Sequence, residues 1–302
     1  MDWHKAGIAE LEILQKCAVN NSFFANNYSA VNSVLYAEKY SSSICVLDDW
    51  IYEKFSDGGK TVFSFPHNVN GTKDDIKSAL DVLIKEASGK NVRCMFENIT
   101  ADEKEMLLSL YDVKTLEPVP PLCDYIYLTE NLSMLSGSKY SKKRNHINQF
   151  RKKYPDFKFE VLNEDNLHYA GIIEEKWFCE NSLPEETADL KKEKEIIFNA
   201  IENFGYFSDH AEMSGGILFA GGEPCAFCIS STLSGLVTDV HFEKCLSPYA
   251  KDGGYAVINN EFAKTVRTKY INREEDLGIE GLRKAKRSYF PEIILEKYNA
   301  CL

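Results

Sequence analysis

The chain has 302 residues, with 35 Lys and Arg against 46 Asp and Glu, a formal net charge of −11 at pH 7. Hydrophobic residues make up 44% and charged residues 27%, which excludes a mainly disordered or fibrous chain, and the acidic balance excludes a surface coated for generic nucleic-acid binding. At roughly 150 residues per domain the length predicts two domains, and no apolar stretch approaches the ~18 residues of a membrane span.

In chain order, Met1–Lys5 has neither a basic nor an apolar leader pattern, so no export signal is expected. Ile44–Leu47 and Ile51–Phe55 alternate as a hairpin, and Thr61–Phe65 reads as the next strand. Asp74–Ala87 is an amphipathic helix, Val92–Phe96 a strand and Ala101–Leu110 a helix. Three prolines within Glu117-Pro118-Val119-Pro120-Pro121 forbid continued helix or central strand, which predicts domains 1–122 and 123–302.

Tyr125–Leu128 opens the second half as a short strand. Ser141 starts a helix with Ile147, Phe150 and Tyr154 on one face, ended by Pro155. Phe157–Leu162 is a strand. Two helices follow, the second carrying Ile197, Ala200, Ile201 and Phe204, with Gly205 as its stop. Ile217–Ala220 and Cys225–Thr232 flank a Gly-Gly-Glu-Pro turn as a hairpin, and Leu236–Glu243 is the next strand. Tyr255–Thr268 is a helix, Tyr270–Arg273 a short strand, Gly281–Ser288 a basic helix and Pro291–Tyr298 the last strand. The first half repeats this order of elements without repeating residues, which predicts a duplicated α/β (α+β) architecture of mixed, mostly antiparallel sheets flanked by helices.

The nine cysteines are odd in number and scattered, which fits free thiols in a reducing cytoplasm. Cys225-Ala-Phe-Cys228 lies inside a strand-like run and reads as buried cysteines, so no metal site is expected. A serine-nucleophile motif, His-Glu-x-x-His and Gly-x-x-x-x-Gly-Lys are all missing from the sequence, which argues against covalent or metal-dependent catalysis.

Hairpin, strand, glycine loop, helix, strand, helix, strand resembles the GNAT acyltransferase fold, here as two tandem copies. Lys251-Asp252-Gly253-Gly254-Tyr255-Ala256 is similar to the loop with which GNAT enzymes hold a donor's pyrophosphate. Glycines let the backbone approach an anion, a helix start offers amides, and a lysine adds charge. The corresponding His67–Thr72 lacks the pattern, so only the second copy is expected to bind a donor.

Tyr140–Ile147 resembles the Fem-type aminoacyl-tRNA-dependent transferases. The run Asn272-Arg273-Glu274-Glu275-Asp276-Leu277-Gly278 through Lys286, with Ser288-Tyr289 and Pro291, resembles soluble relatives of the phosphatidylglycerol lysyltransferase C-terminal domain. The resemblance implies transfer of an activated acyl or aminoacyl group to an amine or hydroxyl. The donor would be acyl-CoA or aminoacyl-tRNA. The acceptor would be a small molecule, peptide or lipid head group, with no tightly bound cofactor.

Asp239, His241 and Glu243 share one face of a predicted strand and could take a proton from the acceptor, or form a solvent-facing polar edge. Lys139–Lys153 carries seven basic residues and no acid, either a phosphate contact including Lys142, Lys143, Arg144 and Asn145, or a solvated helix face. Asn272, Arg273, Glu274, Asp276, Lys284 and Lys286 read as a substrate cradle or an ion-pair network. Tyr289 would protonate the leaving group, as the fold implies, or pack in the core. Two rival functions are an acetyl-CoA-dependent N-acetyltransferase and a non-catalytic ligand sensor.

Overall fold

The structure is a computed structural model that describes residues 1–182 and 187–302. It opens with a helix absent from the sequence assignments. Leu11, Leu14, Cys17 and Ala18, spaced by three and four, bury one face of α1 (Leu11–Asn20). The short α2 (Ala30–Leu35) is also new, and is capped by the Ser29 hydroxyl.

β1 (Ser43–Leu47), β2 (Trp50–Asp57) and β3 (Lys60–Phe63) pair antiparallel, and β4 (His67–Asn68) pairs with β2. α3 (Ile76–Gly89) lays Ala79, Leu80, Leu83 and Ala87 into the core. β5 (Met95–Thr100) then runs parallel to β3 through Phe63 and Phe96. α4 (Ala101–Leu110) begins at a capping box of Thr100 and Glu103, and β6 (Thr115–Pro118) and β7 (Asp124–Leu128) flank the proline-rich stretch.

The chain continues through α5 (Thr129–Met134), α6 (Ser141–Lys153), β8 (Lys158–Val161), α7 (His168–Asn181), α8 (Thr187–Glu202) and α9 (Phe204–Ala211). Next come β9 (Ser214–Ala220), β10 (Glu223–Ser234), β11 (Val237–Cys245), α10 (Gly254–Ala263) and β12 (Tyr270–Asn272). α11 (Glu280–Arg287), β13 (Ile293–Leu295) and β14 (Lys297–Cys301) close it. Gly205 does not stop a helix; the break falls two residues earlier, at Asn203, and Gly205 lies inside α9.

Contacts divide the chain into two units. The first comprises Met1–Ile126, Leu233–Gly235 and Glu274–Leu302, the second Tyr127–Thr232 and Leu236–Arg273. The division departs from a single cut after residue 122, because the last segment returns to the first unit. The expected strand Pro291–Tyr298 breaks at Glu296, and β14 enters the order β1-β2-β3-β5-β14-β6. Proline-bearing β6 is the edge strand there, where a missing N–H is tolerated.

Buried charge fixes that return. Lys297 Nζ lies 2.6 Å from Asp124 Oδ1, both fully buried, while Asp124 Oδ2 accepts the Asn26 amide at 2.8 Å. Burial opposes the Lys297 charge, but Asp124 and Glu275 outweigh it and raise its pKa. The other sheet has the strand order β13-β7-β12-β11-β10-β9-β8, with β8 and β10 antiparallel to β9. The Cys225 and Cys228 thiols are free, buried in β10 and pushed up in pKa by that burial. Among the described residues no helix is long and apolar enough to cross a membrane.

Candidate active site

β11 and β12 run parallel through Val237–Tyr270, Thr238–Ile271 and Asp239–Asn272, after which β12 ends and β11 continues to Cys245. Residues 239, 241 and 243 share one face of β11, as the period of two requires. The polar-edge reading does not hold, because Val240, Phe242, Asp239 and His241 are all buried. β11 is an interior strand against which α7 and α10 both pack, so the usual alternation of apolar inside and polar outside is lost. His241 Nε2 lies 2.7 Å from Ser231 Oγ, and its Nδ1 3.7 Å from Asp239 Oδ2. These two expected proton acceptors are thus sealed within the sheet layer with Ser231.

Glu243, one step past the end of that sealed row, keeps partial exposure. Arg273, just after β12, donates through one terminal nitrogen to both Glu243 oxygens at 3.0 and 3.1 Å, and its guanidinium lies 5.9 Å from the centre of the Tyr127 ring. Asn259 of α10 approaches Glu243 at 3.5 Å through Nδ2. Asn259 is buried, and its Oδ1 has no hydrogen-bond partner among the described residues. Lys143 of α6 enters the same field. Its pKa is lowered to about 8, first by burial and then by Arg273, with Glu243 opposing. Lys143 thus shares the electrostatic field of the Arg273–Glu243 pair, a juxtaposition the sequence did not foretell. Asn259 escaped the sequence reading; it directly follows the apolar Ala256-Val257-Ile258.

The twin-glycine bend serves packing. The Gly253 amide donates to Ala250 at 3.2 Å and the Gly254 amide to Tyr249 at 2.8 Å, so neither is open to an anion as expected. Gly253 has φ +105°, and a Cβ there would meet the His146 carbonyl oxygen at 2.8 Å. A Cβ on Gly254 would meet Cys245 Sγ at 2.5 Å. Close helix approach demands these glycines. Lys251 is exposed, Ala256 buried, and the Tyr255 hydroxyl is pushed up to about 12, mainly by burial.

On α6, Arg144 donates to the carbonyls of Leu135 and Gly137, Arg151 pairs with Glu261 at 3.1 Å and Lys153 with Asp252 at 2.7 Å. Lys142, Asn145 and Lys152 are exposed, the latter two beside a shallow groove shared with Asn148, Gln149 and Arg151.

The glutamate-rich motif divides between the units. Asn272 and Arg273 belong to the second; Glu274, Asp276, Lys284, Lys286 and Tyr289 belong to the first. Glu274 accepts from Asn32 Nδ2 at 2.9 Å. Asp276 is fully buried and filled by Arg283 at 2.8 and 2.9 Å, the Tyr125 hydroxyl at 2.6 Å and the Gly278 amide at 2.9 Å. Burial opposes its charge, yet these partners hold its pkₐ at about 2, so Asp276 clamps the motif instead of facing substrate. Lys286 donates to the Glu275 carbonyl, Lys284 is exposed, and Tyr289 is buried.

Residues 27–301 match the family model described as phosphatidylglycerol lysyltransferase, C-terminal. An uncharacterized protein of Mycoplasmoides gallisepticum is 24% identical over 255 residues, 84% of this chain and 79% of its own. A conserved protein of unknown function from Bacteroides thetaiotaomicron has 31% identity and a TM-score of 0.91, covering 100% of this chain and 99% of that one. The fold is also that of L-PGS from Bacillus licheniformis, at 13% identity and a TM-score of 0.67 over 97% of this chain and 91% of that one. With its model spanning nearly the whole sequence, the chain belongs to the phosphatidylglycerol lysyltransferase C-terminal family.

Proposed function

We propose that the protein transfers an aminoacyl group from its ester on the 3′ end of a tRNA to an amine or hydroxyl of a small-molecule, peptide or lipid head-group acceptor. One observation carries this reading: the half-buried Lys143 amine, its pKa lowered, shares the field of the Arg273–Glu243 pair where β11 runs past β12, with the unpartnered Asn259 oxygen beside Glu243. The family description names a lysyltransferase, which favours the same chemistry. A coenzyme-A donor is disfavoured, because a pyrophosphate needs open amides and those of Gly253 and Gly254 are taken.

In the proposed step the acceptor heteroatom attacks the ester carbonyl carbon. A new C–N or C–O bond forms, and the bond to the ribose oxygen breaks. The acceptor's proton passes to Lys143 in its neutral form, which returns it to the leaving ribose hydroxyl. A lysine at about 8 exchanges a proton near neutrality. Arg273, oriented by Glu243, stabilises the developing oxyanion. Exposed Lys142, Arg151 and Lys152 on α6 would meet backbone phosphates.

Filter binding with aminoacyl-tRNA across a salt series tests the donor. Retention that falls steeply with salt is expected, and acetyl-CoA should give no thermal protection. Protection by acetyl-CoA without tRNA retention overturns the reading in favour of an ordinary acetyltransferase.

A further inference from the structure

The first unit holds a cavity of about 40 Å³ that the transfer chemistry does not use. Leu14, Ile51 and Phe65 give it apolar lining. The Phe23, Tyr28 and His67 rings lie beside it, with Phe23 and Tyr28 4.4 and 4.5 Å from the imidazole. That imidazole is held by Glu103, 3.1 Å from Nε2. Glu53 and Asn27 add acceptors to the same lining. Glu53 takes a hydrogen bond from Ser64 Oγ at 3.0 Å, and no cation is paired with it among the described residues. Asn27 Oδ1 is shielded from solvent and has no hydrogen-bond partner among the described residues. A carboxylate and an orphaned amide oxygen, set against aliphatic and aromatic walls, call for a donor bearing positive charge on a short apolar stem.

We propose that this cavity binds the primary ammonium end of a small amine, with the nitrogen between Glu53 and Asn27 and the alkyl carbons against Leu14 and Ile51. The volume admits only a few non-hydrogen atoms, so the recognised group is the tip of an alkylammonium. Burial raises the Glu53 pKa to about 7, and a bound cation would relieve that. Because all the lining residues belong to the first unit, the inference stands apart from the proposed transfer step.

The experiment is an NMR amide-shift titration of the full-length protein with ethylammonium, ethanol and acetate. Ethylammonium should shift the amides around Glu53, Ser64 and His67 with saturation of order millimolar, the ceiling for a ligand of this size. Ethanol and acetate should bind at least tenfold more weakly. Glu53→Gln should weaken ethylammonium tenfold or more, and Ser33→Leu, which fills the cavity, should abolish its binding. Equal binding of ethanol, unchanged binding by both variants, or no localised shift with ethylammonium each overturns the proposal. If Glu53→Gln does not fold, Ser33→Leu alone decides.

Discussion

The two units draw the same frame and fill it differently. In each, antiparallel strands are followed by a helix and then a strand parallel to the last of them. In the first unit β3 and β5 meet at the single pair Phe63–Phe96, and that region is a core of Tyr52, Phe63, Phe65, Phe96 and Leu83. In the second, β11 and β12 pair over three positions before β12 ends, and the space beyond holds Lys143, Glu243, Asn259 and Arg273. A parted strand pair is neutral ground: apolar side chains make it core, and charged ones keep it open to chemistry.

Truncation on either side sharpens the contrast. Phe63→Ala should lower stability by about 3–5 kcal/mol, through lost burial and a cavity, while the transfer rate per folded molecule stays near wild type. Denaturant melts and rates corrected for folded fraction check it. Lys143→Met should do the reverse, cutting kcat by about 10²–10⁴ with little loss of stability. A variant that transfers normally breaks the assignment of the second unit as the active one.

Gly254→Ala tests whether the twin glycines serve packing. A Cβ 2.5 Å from Cys245 Sγ and 3.0 Å from the Tyr249 carbonyl oxygen should destabilise by about 1–3 kcal/mol. Wild-type melting with lost donor binding would restore the pyrophosphate-loop reading.

The smallest effect is expected from pH. Burial raises Glu174 of α7 to about 7, so the fold binds a proton that the unfolded chain has released above about 4.3. Its share of stability is present below that value and declines as pH rises toward 7. Glu174→Gln should flatten this slope and gain about 1–2 kcal/mol at pH 8, measured by melts across pH. Asp276 acts with the opposite sign. Its stabilisation is present above about 3.9 and disappears as pH falls through about 2.

Much of the fold was legible. Ala101–Leu110 is a helix over the expected span, and β1, β2, β9 and β11 fall within a few residues of their assignments. α1 was missed although its apolar spacing was present. Of the site, Lys143 and Arg273 stood out through local charge and Glu243 through its place on one face of a strand. The sealing of Asp239 and His241 did not, because the alternating pattern of β11 looks the same on an edge strand as on an interior one.

The amino-acid order by itself determined the family, the succession of elements and the faces they present, since period, turn chemistry and capping are local properties. Tertiary structure decided that β14 returns between β5 and β6, that Asp276 closes on Arg283, and that three charges from α6, β11 and the end of β12 converge. Those outcomes depend on which distant groups share a desolvated volume, and burial and charge act through space, whatever the separation along the chain.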